Sequence, residues 1–184
     1  ERAQEAFERA DIVLLQFEIP EDVNACVLKK AAEAGKPVVL NPAPARAIED
    51  ELLSLATVVT PNESEAQHLT GIAIKKPGDA ERAAAALRSR GARRVVITLG
   101  EKGALFSGDE GTLHVPTWPV DVVDTTAAGD AFNGALATGL GAGLDWQASL
   151  RLANAVGALS VTKLGAQPSL PERAAVEAFL RERS

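Results

Sequence analysis

The 184-residue sequence contains no methionine. A reading frame opens with one, and Glu1 falls inside helix-like sequence, so the chain reads as a piece of a longer protein. There is one cysteine, Cys26, so no internal disulfide can form, which fits a reducing, cytoplasmic setting. Cys26 has no basic neighbour in sequence to activate it and is expected to be a small buried apolar residue on a helix. No apolar run approaches the roughly 20 residues of a membrane span, and no secretory leader is visible. No membrane partner is therefore expected. Positive charge is short: the formal net charge is −6, which argues against a nucleic-acid partner held by a broad basic surface. A small anion remains possible, because a few local amides outweigh the net sign. The pattern GxxxxGK[ST] is absent, which excludes the usual P-loop.

What is present alternates. "DIVLLQF" (Asp11–Phe17), "KPVVLN" (Lys36–Asn41), "TVVTP" (Thr57–Pro61) and "RRVVITLG" (Arg93–Gly100) are short apolar runs that predict buried strands. Between them, "PEDVNACVLKKAAEAG", "NESEAQHLTG" and "GDAERAAAALRSRG" carry helix-start residues, helical apolar spacing and a closing glycine. Strand and helix in alternation predict a parallel sheet. After Gly103, "GALFSG", "GTLHVP" and "VDVVD", with the turn "GDEG", predict an antiparallel edge. Three helices follow, over Ala128–Leu140, Trp146–Lys163 and Pro171–Glu182. The length suggests one domain over residues 1–184. The expected fold is α/β, a mostly parallel sheet with helices on both faces and an antiparallel edge.

Three loops follow strand ends, the edge where open α/β sheets bind ligands. In "VDTTAAGDAFNGA" (Val123–Ala135), small residues precede a helix start. Free amides and the helix dipole there favour an anion. An acid beside them, Asp130, would repel phosphate unless it takes a proton from an attacking hydroxyl. The other reading makes Asp130 a helix cap and Gly129 a turn residue. "TLGEKGA" (Thr98–Ala104) has two glycines three apart and could cradle a nucleotide's phosphates, though such βα turns are common. In "TPNESEA" (Thr60–Ala66), Asn62 and Glu65 share a helix face; they could meet a hydrated divalent ion, or Asn62 could simply cap.

Taken in order and spacing, "NPAPAR" (Asn41–Arg46), "TPNESEAQHLTG", "ITLGEKG", "VDTTAAGDAFNGAL" and "VTKLGAQPS" (Val161–Ser169) resemble the PfkB, ribokinase-like family of sugar and nucleoside kinases. The similarity covers essentially the whole chain, and "NPAPAR" with "GAQPS" is similar to the ribokinase branch. That resemblance implies ATP-dependent phosphorylation of D-ribose to ribose 5-phosphate, a phosphotransfer to an alcohol. It makes Asp130 the base toward the sugar's 5-hydroxyl and Ala127, Ala128 and Gly129 the anion hole. Thr98, Leu99, Gly100, Glu101, Lys102 and Gly103 become the ATP loop. Asn62 becomes an ATP contact, Glu65 the acid associated with Mg2+ and phosphate, and Glu18 a sugar contact. Asp124, Thr126, Ser160, Lys163, Gly165 and Ser169 match a monovalent-cation (K+) site, acting mostly through backbone carbonyls. Other sugar kinases of the family, acting on fructose or 2-keto-3-deoxygluconate, remain alternatives, as does a catalytically silent nucleotide-binding fragment.

The sequence departs from the family at three places. Many members have glycine at Ala127, where alanine is acceptable if φ stays negative. Asn154 stands where some ribokinases have histidine near the adenine. The N-terminal portion, with its glycine-rich sugar site and the small β-sheet lid that forms the homodimer, is expected before Glu1. His68, His114, Trp118 and Trp146 are expected in surface or packing roles.

Overall fold

The computed structural model describes residues 4–183. Its elements run α1 (Gln4–Arg9), β1 (Val13–Leu15), α2 (Glu21–Glu33), β2 (Val38–Leu40), α3 (Asp50–Leu55), β3 (Val58–Val59), α4 (Glu63–Thr70), α5 (Asp79–Ser89) and β4 (Val95–Thr98). Then come β5 (Ala104–Gly108), β6 (Gly111–Val115), α6 (Ala128–Gly141), α7 (Trp146–Ser160) and α8 (Arg173–Glu182). The strands form one sheet in the order β1-β2-β3-β4-β5-β6. β1 to β4 are parallel, with Val13 opposite Val38, Val39 opposite Val58 and Val59 opposite Val95. Every residue of β2 and β3 is buried, as strands covered on both faces require. β5 and β6 are joined by the two-residue turn Asp109–Glu110, a link only antiparallel strands permit, and form the antiparallel edge.

The mixed α/β sheet expected from the alternation is present, with four local corrections. "VDVVD" is not a strand: the Val123 and Asp124 amides both donate to the Val161 carbonyl instead of a ladder, and Val122 and Val123 are exposed. The helix from Trp146 stops at Ser160, not Lys163. Thr162 and Lys163 fold back onto the Leu159 and Ser160 carbonyls, and Gly165, at φ 90°, turns the chain away. Cys26 is exposed, because α2 buries Asn24, Leu28 and Ala31 and Cys26 lies two residues from that stripe. The short helix α3 lies outside the expected elements and buries only Leu52 and Leu53.

The chain forms two compact units. One runs to Ile97 and includes Leu105–Thr112; the other comprises Thr98–Ala104 and everything from Leu113 onward. In the first, Val38, Val39, Leu40, Val58, Val59, Leu87, Val95 and Ile97 are fully enclosed. In the second, Ala155, Ala158, Val176 and Phe179 form a core on which Trp118 packs edge-on, its ring 5.3 Å from that of Phe179. Among the described residues no helix is long and apolar enough to cross a membrane.

Candidate active site

In the second unit, the alanines and glycine before Asp130 shape a helix start. Ala127 adopts φ 61°, ψ 12°, the left-handed conformation, and is the only non-glycine residue with positive φ among the described residues. The condition set for an alanine there, that φ stay negative, is not met. An alanine held in that region carries strain of about 1–2 kcal/mol. The turn it makes admits Ala128 as the first residue of α6 without any side-chain cap. The Ala128 amide donates to the Thr125 carbonyl (3.2 Å) and the Ala131 amide to the Ala127 carbonyl (2.8 Å). Gly129 and Asp130 lie between them, and their amides meet no backbone acceptor among the described residues. Both residues are exposed. The capping role weighed for Asp130 is therefore not taken up. From below, the buried Asn133 donates its amide to the Gly129 carbonyl (2.9 Å), pinning the first turn. The sequence reading missed Asn133; a polar residue on the apolar face of a helix was the available signal.

Asp124 latches this loop to the segment after α7. One carboxylate oxygen accepts the Thr126 amide (2.9 Å) and the other accepts the Gly165 amide (2.8 Å). The Thr126 hydroxyl, then the Gly165 and Thr126 amides, hold the Asp124 carboxyl below the usual carboxylate range. Three members of the expected cation site, Asp124, Thr126 and Gly165, are thus brought together. Ser160 and Ser169 are buried and donate their hydroxyls to the Gly157 (2.8 Å) and Ala166 (2.7 Å) carbonyls. Lys163 is exposed. Among the described residues no three His, Cys, Asp or Glu side chains gather as metal ligands.

The loop Thr98–Gly103 contains one 3-10 turn, Gly100–Lys102. The Leu99 amide donates to the Gly103 carbonyl (2.8 Å) and the Lys102 amide to the Leu99 carbonyl (3.1 Å). Gly100 and Glu101, first in the turn, have no acceptor within it for their amides. Gly103 is required: at φ 90°, a Cβ there would lie 2.2 Å from the Val115 carbonyl oxygen. Asn154 is 4% exposed, and its amide donates to the Val115 (2.8 Å) and Pro116 (3.3 Å) carbonyls. Its donors are spent on backbone, a role not foreseen in placing it near a base.

In the first unit, Asn62 and Glu65 form a capping box on α4. The Asn62 side-chain oxygen accepts the Glu65 amide (2.9 Å), and Glu65 accepts from the Asn62 backbone amide (2.8 Å) and side-chain amide (2.9 Å). Glu65 is buried; that burial pushes its carboxyl up, partly countered by the Asn62 backbone amide. Glu18 is exposed beyond β1 and accepts from the Gln16 side-chain amide (3.1 Å).

The sequence pattern of the pfkB family carbohydrate kinases matches residues 1–173. The chain is 41% identical over 172 residues to a ribokinase of Haemophilus influenzae, covering 94% of this chain and 56% of that protein. It is 41% identical over 178 residues to a ribokinase of Bacillus subtilis, covering 97% and 58%. Its structure is similar to that of the Arabidopsis thaliana ribokinase complexed with ribose and ATP, with a TM-score of 0.92 at 36% identity, covering 96% of this chain and 58% of that one. The chain therefore spans between 56% and 58% of the lengths of these relatives.

Proposed function

The chain belongs to the pfkB family of carbohydrate kinases, and from that premise we propose that it carries the nucleotide and catalytic part of a ribokinase, transferring the γ-phosphoryl group of ATP to the 5-hydroxyl of D-ribose. The observation that carries this reading is the start of α6: a left-handed Ala127, no side-chain cap, and an exposed Asp130 on the first turn. A helix start left uncapped favours an anion over a bare end.

In the reaction, the sugar oxygen forms a bond to the γ-phosphorus and the bond to the β–γ bridging oxygen breaks, its electron pair leaving with ADP. The hydroxyl proton passes to the Asp130 carboxylate. The Gly129 and Asp130 amides face the charge on the transferring group, and Ala127 and Ala128 shape the turn that presents them. Thr98–Gly103 holds ATP through backbone groups, with Asn62 a further contact and Glu18 a sugar contact. Magnesium, when bound with ATP, neutralises phosphate charge. Glu65 fits a water-bridged association with it, since each of its oxygens accepts one bond from Asn62 and keeps a lone pair. A monovalent cation such as K+ would be held by Asp124, Thr126, Ser160, Lys163, Gly165 and Ser169, mostly through backbone carbonyls. The ionised Asp124 and the juxtaposition of its loop with Gly165 fit such a group. Homodimerisation and a cytoplasmic setting belong to the same proposal.

The test is Asp130→Asn in the intact kinase. Turnover of ribose is expected to fall by at least about 100-fold while ATP still binds. Near-parent turnover would remove Asp130 as the base. Parallel assays with fructose and 2-keto-3-deoxygluconate decide the sugar.

A further inference from the structure

We propose that His114 is a positioning residue for the nucleotide loop Thr98–Gly103, holding its turn from β6. The proposal rests on the nucleotide reading of that loop.

The observations lie within the second unit. His114 Nε2 is 2.8 Å from the Lys102 carbonyl oxygen. A carbonyl only accepts, so Nε2 carries the proton and donates. Lys102 is the last residue of the 3-10 turn, where a carbonyl has no partner within the turn. The imidazole supplies the missing donor. The next residue in sequence meets the loop as well: Gly103 lies so close to Val115, Pro116 and Thr117 that a Cβ would come within 2.8 Å of atoms of all three. The loop is thus held on consecutive residues, Lys102 by a side chain and Gly103 by backbone contact.

The strip that holds it is itself fixed. Asn154, buried on α7, donates to the Val115 and Pro116 carbonyls, and the Thr117 hydroxyl donates to the Asn154 carbonyl (3.4 Å). Helix α7 therefore anchors residues 115–117 through Asn154, and His114 extends that anchorage to the loop. Without the imidazole, the Lys102 carbonyl loses its donor, and the turn is left with its own short-range bonds, Lys102 to Leu99 and Gly103 to Gly100 (both 3.1 Å) and Leu99 to Gly103 (2.8 Å), beside the backbone contact at Gly103. Short 3-10 turns have poor hydrogen-bond geometry and open readily. A phosphate-cradling loop that must be ordered on binding loses affinity by that ordering cost. His114 is exposed and lies outside the catalytic turn, so its replacement leaves the core intact.

The experiment compares the parent chain, His114→Ala and His114→Gln. The glutamine amide nitrogen reaches about as far as Nε2 and donates to a carbonyl. Two quantities are measured: hydrogen exchange of the Lys102 and Gly103 amides in ligand-free protein, and the affinity for magnesium–ADP by titration calorimetry. Faster exchange of both amides in the alanine variant is expected, with affinity lowered roughly 3- to 10-fold and both restored by glutamine. Unchanged exchange in the alanine variant overturns the proposal. So does faster exchange with unchanged affinity, or a glutamine variant as impaired as alanine. A parent chain that binds no magnesium–ADP removes the nucleotide reading, and the proposal with it, whatever the exchange rates show.

Discussion

At Ala127 a methyl group sits where the backbone favours none, since φ is 61°. Relieving that strain would return about 1–2 kcal/mol, and glycine's extra freedom in the unfolded chain would take back about 0.5–1 kcal/mol. Ala127→Gly is therefore expected to stabilise the protein by about 0.5–1 kcal/mol in urea unfolding; a loss of stability would show that the left-handed turn is not strained. Asp124 makes a different prediction. Its folded pKa is lowered, so its contribution to stability is present above the unfolded value of about 3.9 and is lost as pH falls through the folded value. Asp124→Asn should be less stable than the parent at pH 7, and the gap should close below about pH 4. A gap independent of pH would mean that the ionised carboxylate does not form the latch to Gly165.

On α4 two duties meet in one pair of side chains. Asn62 and Glu65 complete the capping box that starts the helix, and the magnesium role proposed for Glu65 uses the same carboxyl group. Glu65→Gln separates them. Glutamine keeps an acceptor for the Asn62 backbone amide, gives up the bond from the Asn62 side-chain amide, and removes the penalty that burial places on the charge. Stability at pH 7 should stay within about 0.5 kcal/mol of the parent, while the gain in ADP affinity on adding magnesium should shrink. Glu65→Ala should lose about 0.5–2 kcal/mol as well. If Glu65→Gln leaves the magnesium effect whole, Glu65 is a cap alone.

For the whole molecule, the proposed inventory is uneven. Most of the proposed roles concern nucleotide, phosphate or cation, and apart from Asp130 only Glu18 is assigned to sugar. The chain also spans between 56% and 58% of the lengths of the relatives it matches. Expressed as these 184 residues, the protein is expected to bind ADP weakly, more tightly with magnesium, and to turn ribose over far below ordinary kinase rates of roughly 1–100 s⁻¹. Ribose-dependent ADP release within that range, from protein whose intact mass matches the sequence, would show that these residues suffice for the sugar.

The sequence by itself determined the alternation of strands and helices, the hairpin at Asp109–Glu110 and the order of the family motifs. These rest on local periodicity, turn chemistry and residue identity, which a chain carries before it folds. Only the tertiary structure decided how the polar side chains are spent. Asp124 meets Gly165 at 41 positions' separation, and Asn154 meets Val115 at 39. Such pairings leave no periodic trace, so Asn154 could be read as a base contact and "VDVVD" as a strand. The φ of Ala127 was hidden for the same reason. Alanine prefers negative φ when its neighbours are free to choose, and here the loop's attachment to Val161 and Gly165 on one side and the start of α6 on the other constrain it.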